Sequence, residues 1–86
     1  MAEIIYPNGE TLPFEMKGKT ASLRELQDAV GGYIETVPTN DGRIMVVNEE
    51  GKLKDLEMNH VATELLTHNA DVIVGNAVIL GQDEME

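Results

Sequence analysis

Ser22-Leu23-Arg24-Glu25-Leu26-Gln27-Asp28-Ala29-Val30-Gly31-Gly32 is the stretch on which the reading of the fold turns. Its first four residues form an S-x-x-E pattern. In it the serine hydroxyl accepts from a backbone N–H three residues on, while the glutamate reaches back to the N–H of the serine. A helix therefore starts at Ser22. Leu23, Leu26 and Val30, with Ala29 beside them, recur at helical spacing and form an apolar stripe, and Gly31-Gly32 supplies the left-handed exit that ends it. Arg24, Glu25, Gln27 and Asp28 make up the solvated face.

Extended segments flank this helix. Glu3 to Tyr6 and Thr11 to Met16 surround Pro7-Asn8-Gly9-Glu10, and Asn-Gly between apolar runs is a hairpin signal. Pro13 has no N–H for a ladder, which sends the second arm to a sheet edge or a bulge. Tyr33 to Val37 and Arg43 to Asn48 form a second hairpin around Pro38-Thr39-Asn40-Asp41-Gly42. Ile44-Met45-Val46-Val47 is apolar without alternation, as in a strand covered on both faces or central in its sheet.

Asn59 is placed to cap a second helix running from His60 to about His68, with Val61, Ala62, Leu65 and Leu66 on one face and an exit at Asn69. The run Val72-Ile73-Val74-Gly75-Asn76-Ala77-Val78-Ile79-Leu80 reads as one bulged central strand. The predicted order is β-β-α-β-β-α-β, an α+β two-layer sandwich with a mostly antiparallel sheet and both helices on one face. Residues 1–82 form a single α+β domain and 83–86 a disordered acidic tail. A sheet covered on one side only would leave apolar surface for a twofold homodimer to bury through an exposed sheet face or edge.

Length and composition bound the function. A chain of 86 residues buries only about 60 to 65% of its unfolded surface, enough for one core. Its 42% hydrophobic content fits a folded domain despite a net charge of −10. The absence of cysteine rules out disulfides and thiolate chemistry, and the lack of a basic n-region or a long apolar run makes cytoplasmic residence the default. With 16 acids against 6 bases, direct nucleic-acid binding and membrane association are disfavoured, and a basic partner is accommodated more readily.

No catalytic constellation is visible. Ser22 is the only serine and serves as a cap; His60 and His68, eight apart, do not match a metal-binding pair; Asn48-Glu49-Glu50-Gly51 lacks the alternating acids of a calcium loop. The expectation is therefore a non-enzyme with no metal and no cofactor. Candidate ligand-binding residues are Tyr33, Glu35, Asn48 and Asn76, whose polar tips sit at strand ends or beside glycines, where backbone can approach a ligand.

Val30-Gly31-Gly32-Tyr33-Ile34-Glu35, Met45-Val46-Val47-Asn48-Glu49-Glu50-Gly51, Asn59-His60-Val61-Ala62-Thr63 and Asp71-Val72-Ile73-Val74-Gly75-Asn76-Ala77 resemble a small family, domain of unknown function 3846, over about three quarters of the chain. Members are small proteins of bacteria, their phages and mobile elements, and the family carries no assigned activity. The resemblance implies a phage or mobile-element setting. The leading expectation is a non-catalytic binding or inhibitory module that sequesters a small molecule or covers a host protein surface. The alternative is an acidic DNA mimic that occupies a nucleic-acid-binding protein.

Overall fold

The computed structural model of the chain describes residues 2–66 and 72–85. Its elements are β1 (Glu3–Ile5), β2 (Thr11–Pro13), α1 (Leu23–Val30), β3 (Ile34–Pro38), β4 (Ile44–Asn48), α2 (His60–Glu64) and β5 (Ala77–Leu80), followed by a 3-10 turn at Gln82–Glu84. The five strands form one antiparallel sheet in the order β2-β1-β5-β4-β3, an α+β fold. Pro13 lies on an edge strand, as its missing donor requires.

The reading of α1 holds at both ends. Ser22 Oγ accepts from the Glu25 N–H at 3.1 Å and the Ser22 N–H donates to Glu25 Oε1 at 2.9 Å. Gly31, at φ 83°, ends the helix, and the N–H groups of Gly31 and Gly32 both donate to the Gln27 carbonyl. The stripe is narrower than its spacing implied: Leu26 and Val30 are buried, while Leu23 at the first turn is 54% exposed.

Successive side chains of a strand point to opposite faces, and this separates two cores. Leu26 and Val30 of α1 pack with Ile4, Val46, Val78 and Leu80. Ala62 of α2 packs with Ile5, Met45, Val47, Ala77 and Ile79, the alternate residues of the same strands. The helices thus lie on opposite faces, which corrects the expectation of both on one. The reason is in the non-alternating runs of β4 and β5. A strand that is apolar on both faces needs cover on both, and each helix supplies one layer. The sheet-face ground for a homodimer goes with it, while the edge strands β2 and β3 stay available for one.

Three further expectations are corrected. The run Val72 to Leu80 is not one bulged strand: Gly75 turns at φ 77°, and β5 begins at Ala77. Residues before the turn pair elsewhere, with Val74 bridging Met58 and the Asn59 N–H donating to the Ile73 carbonyl at 2.8 Å. The second helix ends at Glu64, because the chain leaves it to pair with the β3–β4 turn: Leu66 bridges Thr39, and the Asn40 N–H donates to the Leu65 carbonyl. The expected histidine at the end of that helix, His68, and the exit at Asn69 lie outside the described residues. The segment read as a disordered acidic tail is structured through Met85. The Glu84 carbonyl accepts from the Ala21 N–H at 2.7 Å, and Met85 bridges Ala21 and packs on the first core.

Among the described residues no helix is long and apolar enough to cross a membrane.

Candidate functional site

Tyr33, Asn48 and Asn76 lie where α1 stops and Glu35 lies apart, so the four sequence-selected residues do not form one site. Asn48 closes β4 and is buried. Its Nδ2 donates to the Val30 carbonyl at 3.1 Å and its Oδ1 accepts from the Glu50 N–H at 2.8 Å. Asn76 Nδ2 donates to the Ala29 carbonyl at 3.0 Å. The last carbonyls of a helix have no partner within it, so the two asparagines, at the end of β4 and just before β5, satisfy carbonyls at the C-terminus of α1. Their amides are committed to the fold.

Tyr33 follows Gly31-Gly32 and is 66% exposed. It lines an open groove of about 400 Å³ together with Gln27, Asp28, Gly31, Gly32, Glu50 and Lys54. Gly32 leaves close quarters: an added Cβ would lie 3.0 Å from Asn48 Nδ2 and 3.2 Å from Lys54 Nζ, so those side chains would have to give way. Lys54 Nζ stands 3.8 Å from Glu50 Oε1, one helical turn away along the loop after β4. Glu35 lies apart, exposed on edge strand β3, where it lines a second cleft of about 260 Å³ with Val37, Val47, Asn48 and Val72–Val74.

The electrostatics of the first groove are negative. The last turn of α1 holds Asp28 and no basic residue, while its Ala29 and Val30 carbonyls are already met by Asn76 and Asn48. Arg24 meets Asp28 only at 3.5 Å, and both side chains are largely solvated. Sequence reasoning missed Asp28, Glu50 and Lys54. Asp28 carried a usable signal, an acid in the last turn of a helix whose boundaries were already legible.

Elsewhere the carboxylates with lowered pKa serve local structure. Glu25 is held below the usual range by the backbone N–H of Ser22, then by that of Lys17 and by the Ser22 hydroxyl. Asp41, in the β3–β4 turn, is held well below it by the Arg43 side chain and the Thr39 hydroxyl. Glu84 is lowered chiefly by the Gly81 N–H. Among the described residues, no three His, Cys, Asp or Glu side chains are grouped to hold a metal ion.

The fold and site define a small antiparallel α+β domain with an acidic groove beside an exposed tyrosine. Over residues 2–86 the chain matches the family described as Domain of unknown function (DUF3846), and it belongs to that family. No curated protein and no solved structure matches it.

Proposed function

We propose that this protein is a non-catalytic binding or inhibitory module of phage or mobile-element type that acts in the cytoplasm by covering the surface of a host protein, and that the contact is made at the Tyr33 end of the sheet. The observation that carries this reading is the exposure of Tyr33 over an open groove. Tyrosine provides a large, rigid contact area at small entropic cost and is enriched among the residues that dominate binding energy. A small-molecule site encloses most of its ligand, whereas this groove is open to solvent, which favours a protein partner over sequestration of a metabolite. Asn48 and Asn76 are occupied by helix carbonyls and Glu35 lines a separate cleft, so of the four residues Tyr33 alone faces this groove.

The net charge of −10 favours a second reading, a DNA mimic that occupies a basic nucleic-acid-binding surface. The two differ in where contact falls, and photo-cross-linking in the native host separates them. A benzophenone amino acid at position 33 is expected to give one discrete protein adduct. The same residue at position 10, in the β1–β2 turn at the other edge of the sheet, is expected to give none. No adduct at position 33, or equal adducts at both positions, overturns the proposal.

A further inference from the structure

We infer that the Tyr33 groove receives an arginine side chain of the protein partner. The inference rests on the proposed contact surface and adds its chemistry. Asp28 and Glu50 both line the groove, and each is held only by a long, solvated pair within the chain, Asp28 with Arg24 at 3.5 Å and Glu50 with Lys54 at 3.8 Å. Lys54 lines the groove as well, its exposed Nζ 3.2 Å from where a Cβ on Gly32 would lie and 3.8 Å from Glu50 Oε1. A cation thus already stands against the Glu50 carboxylate. That ammonium is held by a long pair between side chains that are nearly half exposed, an interaction weak enough to be displaced.

Arginine fits better than lysine. Its planar guanidinium stacks on an aromatic face while its forked donors reach carboxylates to either side. Tyr33 offers the ring, and Asp28 and Glu50 offer the carboxylates. Gly31 leaves open space on the approach, since nothing lies within 4 Å of an added Cβ there. The excess of acids over bases, 16 to 6, draws a basic protein surface toward this face and repels nucleic acid.

The test is an NMR titration of the intact protein with the blocked peptide acetyl-Gly-Arg-Gly-amide, and with the same peptide carrying citrulline, the uncharged isostere. The arginine peptide is expected to give saturable shifts at Gly31, Gly32, Tyr33 and Lys54, with binding about five- to tenfold tighter than the citrulline peptide. Tyr33→Ala and Glu50→Gln should each weaken it about two- to fivefold, and Lys54→Met should tighten it by a similar factor. Glu10→Gln removes the same charge at the far edge of the sheet and should leave it unchanged. All four positions are exposed or half-exposed, and unchanged amide spectra elsewhere confirm the fold of each variant. Equal binding of the two peptides, no saturable shift, or equal weakening by Glu10→Gln and Glu50→Gln overturns the inference. If the cross-link at position 33 forms but arginine is not preferred, the arginine assignment alone falls. If the cross-link fails, the contact surface falls with it.

Discussion

Replacing Asn59 with alanine should bring the protein close to global unfolding. The side chain is fully buried, and each of its polar atoms is used. Nδ2 donates to the carbonyls of Ile5 and Gly75, each at 2.9 Å, and Oδ1 accepts from the Ala62 N–H at 3.1 Å. One amide thus ties the end of β1, the bend before β5 and the first turn of α2. Losing the cap costs about 0.5–2 kcal/mol. Each buried carbonyl left without a donor costs about 1–3 kcal/mol more. Relaxation trims the sum to roughly 3–5 kcal/mol, a large share of the about 4–13 kcal/mol expected for a domain of this length. Urea denaturation followed by circular dichroism reads it as a lower midpoint at unchanged slope. Asn59→Asp sharpens the test, because a carboxylate would face two carbonyls. Its folded-state pKa must then rise, so the variant should be least stable at neutral pH and recover in part as acid protonates it. A loss below about 1 kcal/mol in Asn59→Ala, against the values expected for buried unpaired groups, would refute the assignment of Asn59 as the joint of these segments.

Ser22→Ala should destabilise by about 0.5–2 kcal/mol through the lost cap of α1, again read from the urea midpoint. Glu25→Gln keeps that cap while removing the carboxylate charge. Since the folded pKa of Glu25 is lowered, its contribution is present above the unfolded value and lost as pH falls through the folded one, so parent and variant should differ at pH 7 and converge in acid. Gly51→Ala drives a Cβ to 2.8 Å from Val74 Cγ2 and should cost about 1–3 kcal/mol by overpacking, a loss that thermal unfolding would show.

Local signals in the sequence carried well where the structure is local. The capping box and glycine exit of α1, the Asn59 cap and the edge position of Pro13 are each decided within a few residues. The placement of helices on faces was also written in the chain, since Ile44 to Val47 cannot be apolar on both sides of a sheet that only one layer covers. Pairing at long range was not legible. Nothing in Val72 to Leu80 announces that Val74 bridges Met58 while Val78 sits between Ile4 and Val46. The same limit applies to the candidate site. Polar tips beside glycines marked Asn48 and Asn76 as special, but whether they face a ligand or a helix carbonyl depends on what folds against them. Tyr33 is exposed, and the acids around it come from the last turn of α1 and the loop after β4.

The central position of β5 has a consequence for synthesis on the ribosome. The N-terminal hairpin and the β3–β4 hairpin share no strand boundary, and both wait for residues 77–80 to slide between them. Until that segment clears the exit tunnel, the nascent chain exposes two unmatched strand edges, those of β1 and β4. Non-local pairing of this kind folds slowly, and open edges invite pairing with other chains. A net charge of −10 opposes the approach of like chains, and so opposes edge-to-edge pairing during that interval.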